Sequence, residues 1–210
     1  MQDSTEAGPA NSPGSEARGE RRLALLLRAS KLIVDDREFL CVLRDASAGG
    51  IKARLFHDLP QAARFELELS NGARFCLQPV WQRDGHAGFR FASGPIDLRS
   101  LVDEASDFPK RQLRLKLDHP IRIAIDAVER DASLADISQH GARITTTPPL
   151  AIGQRLQVTG KGLPPSEAIV RWRRRDSHGL VFQRGFRLDE LARLMDELQS
   201  PAPIKQKAIG

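Results

Sequence analysis

Tyrosine is absent from this chain of 210 residues, and aromatic residues make up only 5% of it. Proteins that bind single-stranded nucleic acid stack bases on exposed rings, so this shortage argues against that class. Only two cysteines occur, Cys41 and Cys76, both inside apolar strand-like runs and without C-x-x-C spacing. They allow one bridge at most, and the sequence predicts buried thiols in a reducing cytoplasm. No apolar run approaches the ~18 residues of a membrane helix. The longest is "LALLL" at 23–27, so no membrane contact is expected. The opening "MQDSTEAGPANSPGSE" has neither the basic start nor the apolar segment of a secretory signal. Residues 1–17, rich in Pro, Gly, Ser and Ala, read as a disordered tail, and 201–210 as a C-terminal tail. The five histidines are scattered, with no pair at metal-ligand spacing, so no metal is assigned. No Ser/His/Asp, Cys/His or paired-acid arrangement stands out, so the chain is not read as an enzyme, and no cofactor is expected.

Charge is present but uneven. The net +5 divides into −3 over 1–17, +1 over 18–107 and +7 over 108–210. The basic surplus is concentrated in "KRQLRLK" and "RWRRR". Such a surplus attracts phosphate-bearing or acidic partners, although an Arg-rich solvated strand accounts for it equally well.

A repeat organises the chain. Asp45, Ser47 and Gly50 recur as Asp136, Ser138 and Gly141; Trp81, Gly88 and Phe91 recur as Trp172, Gly179 and Phe182. All six pairs share one offset, since 136 − 45 and 172 − 81 both give 91. The pattern is a tandem duplication, with units at 18–107 and 108–200.

Each unit reads as β structure. "RFELELSNGARFCLQPVW" alternates Phe65, Leu67 and Leu69 with charged residues, then turns at Asn71-Gly72; Asp84-Gly85 marks a second hairpin before "HAGFRF". In the second unit "LRLKLDHPIRIAIDAV" alternates through Leu113, Leu115, Leu117, Ile121, Ile123 and Ile125. Short helical signals close the units, "DLRSLVDEA" in the first and "LDELARLMDELQ" in the second. "RRLALLLRASKLIV" has helical spacing and helix-favouring composition, and is read as a strand only because its counterpart is one. Short strands with regular turns predict a small antiparallel barrel per unit.

An Arg-x-x-x-Arg element, a strand, Asp-x-Ser-x-x-Gly, then Trp and Gly-x-x-Phe together resemble the PilZ domain family. In the first unit these are Arg18 and Arg22, then Asp45, Ser47 and Gly50, then Trp81, Gly88 and Phe91. The resemblance implies an all-β fold with short helices: two tandem six-stranded antiparallel barrels, each followed by a short helix. It also implies a bacterial receptor for the second messenger cyclic di-GMP, with Arg18, Arg22, Asp45, Ser47 and Gly50 as ligand-binding residues. The residue types suit that ligand. Guanidinium groups fork onto guanine O6 and N7 or pair with phosphate, and an ionised Asp accepts from guanine N1 and N2. Gly lets backbone approach a flat base. Asp, Ser and Gly also gather at turns for local reasons, and both Trp residues read as packing groups.

The second unit departs from the pattern. Asp136, Ser138 and Gly141 are intact, but "KRQLR" offers either Lys110-x-x-x-Arg114 or Arg111 only three residues before Arg114, and His140 replaces Gly49. A possible second site therefore comprises Lys110, Arg111, Arg114, Asp136, Ser138 and Gly141. Three functions follow. The leading one is a cyclic di-GMP receptor using the first unit and relaying the signal between domains or to a downstream protein partner. The alternative is a ligand-free PilZ scaffold acting as an interaction module. The third, a nucleic-acid module built on Arg111, Arg114, Arg171 and Arg173 to Arg175, conflicts with the lack of rings, and no DNA partner is expected.

Overall fold

The computed structural model describes residues 23–102 and 112–199. The predicted tails at 1–17 and 201–210 lie outside them. The first unit consists of β1 (Leu23–Val34), β2 (Arg37–Ser47), β3 (Gly50–Leu55), β4 (Phe65–Glu68), β5 (Arg74–Arg83), β6 (His86–Phe91) and the one-turn helix α1 (Arg99–Val102). The second repeats the order with β7 (Leu115–Ile125), β8 (Val128–Ser138), β9 (Gly141–Thr145), β10 (Arg155–Gly160), β11 (Leu163–Arg174), β12 (Ser177–Phe182) and α2 (Leu188–Gln199). Each set of six strands closes into an antiparallel barrel, ordered β1-β2-β3-β6-β5-β4 and β7-β8-β9-β12-β11-β10. The same order in both units is what a duplication requires.

The turns form where the sequence signals placed them. Gly72 takes φ +86° after Asn71; Asp84 and Gly85 both have positive φ, which gives a two-residue hairpin the twist of its strands. Asp35 reverses β1 into β2 at φ 51°, a conformation a short polar side chain tolerates.

The segment spelled like a helix is a strand, and where its side chains are described, burial does not alternate. Ser30 and Leu32 are buried, yet Lys31 between them is also only 3% exposed. On β2, Phe39 and Cys41 are buried, and so are their neighbours Glu38 and Leu40 on the opposite face. The second unit covers the outer face of the first at this place. Leu40 belongs to the core cluster of Leu115, Ile123, Leu134, Ile144 and Leu180, and Phe56 packs against it. The first core holds Leu32, Phe39, Leu43, Leu67, Leu77 and Phe91. α2 adds Leu191, Ala192, Leu194 and Met195 to the second core. Its start is fixed by Glu190 Oε2, which accepts from the Arg187 N–H at 2.9 Å.

The cysteines divide. Cys41 is buried, and burial pushes its thiol up to about 12. Cys76 is free and exposed, against the expectation of two buried thiols, because it occupies an outward position on β5.

Candidate functional site

The Asp-x-Ser-x-x-Gly segments are the β2–β3 and β8–β9 hairpins. Ser47 pairs with Gly50, Ala46 with Ile51 and Asp45 with Lys52. Ser138 likewise pairs with Gly141, Ile137 with Ala142 and Asp136 with Arg143. A register shift just before each Asp, between Leu43 and Asp45 and between Leu134 and Asp136, turns the carboxylate-bearing residue in the same way in both units. The motif glycines face a backbone wall: a Cβ on Gly50 would overlap the Phe89 carbonyl oxygen, and one on Gly141 that of Leu180.

In the second unit the carboxylate is fully engaged. Arg114 Nη1 donates to Asp136 Oδ1 at 2.7 Å, and Arg143 Nε donates to Oδ2 at 2.6 Å. Asp136 itself is buried, whereas both arginines are partly exposed, so each guanidinium keeps donors available to solvent. Ser138 Oγ donates to the Gly141 carbonyl at 3.1 Å. Gln112 bridges the rim, with Oε1 3.3 Å from Ser138 Oγ and Nε2 2.9 Å from His140 Nδ1.

The first unit differs at the same positions. Asp45 Oδ1 is buried with no hydrogen-bond partner among the described residues. Lys52 replaces Arg143 opposite it. Arg18 and Arg22 lie outside the described residues, as do Lys110 and Arg111 of the second unit. Register still relates the two Arg elements. Ala24 pairs with Asp45 as Lys116 pairs with Asp136. Two residues before these stand Arg22 and Arg114, so the sequence matches Lys110-x-x-x-Arg114 to Arg18-x-x-x-Arg22.

The hairpins continue into a row across each barrel. Lys52 pairs with Gly88, and Gly88 with Trp81; Arg143 pairs with Gly179, and Gly179 with Trp172. Each indole lies over its glycine so closely that a Cβ there would strike the ring. Trp81 and Trp172 are 37% and 41% exposed, so neither is a core residue. Sequence reasoning missed Arg143, Lys52 and Gln112. The first two were readable: a hairpin pairing Ser138 with Gly141 brings Arg143 opposite Asp136 by counting outward. Gln112 had no signal.

Residues 109–199 match the PilZ domain family model. The second barrel is a PilZ domain. The first barrel has the same strand order as this PilZ barrel. No curated protein matches the chain. Among solved structures, PlzA of Borreliella burgdorferi in complex with c-di-GMP is 11% identical, over 85% of this chain and 94% of that one, at a TM-score of 0.35. The inhibitor of motility MotI/DgrA of Bacillus subtilis is 13% identical over 82% and 94%, at 0.37. YcgR of Escherichia coli in complex with c-di-GMP is 13% identical over 82% and 81%, at 0.30. Among the described residues, no helix is long and apolar enough to cross a membrane.

Proposed function

We propose that this protein is a bacterial cytoplasmic receptor for cyclic di-GMP, which it binds through the first unit and relays by inter-domain or partner contacts. The ligand is held by Arg18 and Arg22 on one side and by Asp45, Ser47 and Gly50 on the other. The observation that carries this reading is the contrast between the two motif carboxylates. Asp136 already accepts from two guanidinium groups, whereas Asp45 has a buried oxygen with no donor among the described residues. A buried carboxylate oxygen without a donor is costly, and guanine N1–H and N2–H are donors of the right kind. A complete Arg-x-x-x-Arg element in the first unit favours the same side, because Lys110 lacks the planar fork.

A second reading places the ligand on the second unit, favoured by the PilZ match over 109–199 and by Arg114 and Arg143 already gathered at Asp136. One calorimetric titration series on the full chain separates the two. On the first reading, Arg22→Ala weakens binding about ten- to a hundredfold, the loss of a charge-assisted contact worth roughly 1.5–3 kcal/mol. Asp45→Asn then weakens it as well, and Asp136→Asn has little effect. The reverse pattern moves the site to the second unit. Equal binding of an unrelated nucleotide rejects the specificity, and no binding at all leaves the interaction-scaffold alternative.

A further inference from the structure

Among the described residues, no strand pairs with the start of β7 on the side where β10 pairs further along. β10 pairs with β7 only over Ile121–Ala124. In an extended chain the carbonyl of residue 114 and the N–H of residue 116 point to the same side. Two side chains of the first barrel fill that place. Lys31 Nζ donates to the Arg114 carbonyl oxygen at 3.1 Å, and the Lys116 N–H donates to Glu38 Oε2 at 2.8 Å. Lys31 completes its three donors with Glu68 Oε1 at 2.7 Å and Glu38 at 3.3 Å. Glu68 is in turn held by Arg74 at 2.6 Å. Lys31 and Glu38 are 3% and 5% exposed, so neither charge has bulk water as a substitute partner.

The second barrel returns the same service. β3 pairs with β2 only from Cys41 onward, and Gln199 at the end of α2 covers the bare stretch before it. Its Oε1 accepts from the Glu38 N–H at 2.7 Å, and its Nε2 donates to the Glu38 carbonyl at 2.9 Å. Each barrel thus completes a strand edge of the other with side chains, and Glu38 stands at the centre of both exchanges.

The residues held in this way are those at the second motif. Arg114, whose carbonyl accepts from Lys31, is the residue whose guanidinium reaches Asp136, and Lys116 is the strand partner of Asp136. We infer that Lys31 and Glu38 of the first barrel are positioning residues for the Arg114–Asp136 pair of the second, so that the packing of the barrels and the state of that motif are one coupled equilibrium. A ligand that withdraws Arg114 from Asp136, or one that moves the first barrel, acts on the same contacts. The coupling stands on the contacts themselves; only its use in signalling rests on the receptor reading above.

The test uses the full chain without ligand first. In Glu38→Ala, hydrogen exchange at the Lys116 amide is expected to accelerate roughly ten- to a hundredfold, the loss of one hydrogen bond to a charged acceptor. Glu38→Gln, which keeps an acceptor, retains most of the protection. A double-mutant cycle between Glu38→Ala and Asp136→Asn, followed by urea unfolding, is expected to be non-additive, whereas Glu38→Ala with a change at exposed Arg122 is additive. Unchanged exchange at Lys116 together with an additive Glu38–Asp136 cycle overturns the inference. If Glu38→Ala does not fold, Gln199→Ala takes its place in the exchange experiment, with a smaller acceleration expected at Lys116 and none at the distant Glu129 amide. Cyclic di-GMP is then titrated into wild type. Absence of binding there refutes the receptor reading, while the exchange and the cycle decide the coupling.

Discussion

A Cβ built on Gly141 would overlap the Leu180 carbonyl oxygen, and one on Gly50 that of Phe89, and neither glycine has a positive φ. The cost of a side chain there is therefore steric: the obstacle is backbone of the neighbouring strand, which cannot swing aside as a side chain can. Gly141→Ala and Gly50→Ala are expected to lower stability by about 1–3 kcal/mol, the range for overpacking a well-filled site. Urea midpoints measure this, and a loss below about 0.5 kcal/mol in both would contradict the geometry. The motif glycine thus has a structural duty with or without a ligand, so its presence in both units says nothing about which one binds. The informative differences are Arg143 against Lys52 opposite the carboxylates, and Lys110 against Arg18 in the Arg element.

At the scale of elements, the hairpins were the most legible part of the sequence. Asn71-Gly72 and Asp84-Gly85 need positive φ, and few residues other than Gly, Asn and Asp supply it cheaply. The motif hairpins were readable through the repeat, and the register that brings Arg143 to Asp136 follows from them. β1 was the least legible. Its outward Lys31 is buried by the second unit, so alternation was erased by a contact between segments far apart in sequence. No local pattern encodes such a contact, and the same holds for Gln199 on Glu38. The "RWRRR" run lies at the end of β11 and its turn into β12, with Arg171, Arg173, Arg174 and Arg175 all exposed. Only Trp172 accompanies them as an aromatic, and it is pressed against Gly179. We therefore expect no tight, sequence-dependent DNA binding from this run at ~150 mM salt, since a purely electrostatic contact fades as counterions compete. A gel-shift titration at that salt that discriminates between sequences would overturn this.

For the whole molecule, the shared contacts predict that the barrels unfold together. Leu40 of the first barrel sits in the second core, and the buried Lys31 and Glu38 would each lose a hydrogen bond to the second barrel if either barrel opened alone. Exposing a buried Leu costs roughly 1.5–3 kcal/mol, and each lost hydrogen bond to a charged group adds to it. Acid provides a test confined to one barrel at its origin. His178 of β12 is fully buried, and burial holds its imidazole below the ordinary value. Its Nε2 accepts from the Leu150 N–H at 3.0 Å, which requires that nitrogen to be unprotonated. The unfolded chain therefore takes up the proton first, and the stability contributed by neutral His178 declines as pH falls from about 6.5 toward the lower folded-state value. Glu68 of the first barrel answers at more acid pH. Burial alone would raise it, but Lys31 and Arg74 outweigh burial and hold it below its ordinary value. Its contribution is lost only as pH falls below the usual glutamate range. One tryptophan marks each barrel, Trp81 in the first and Trp172 in the second. In Trp81→Phe and Trp172→Phe variants the remaining indole reports a single barrel. Between pH 7.5 and 5.5 both urea midpoints should fall together, and His178→Gln should shrink the shift seen by both. A midpoint that moves for Trp172 but stays in place for Trp81 would mean that the barrels unfold independently, and that their contacts are too weak to carry a signal from one to the other.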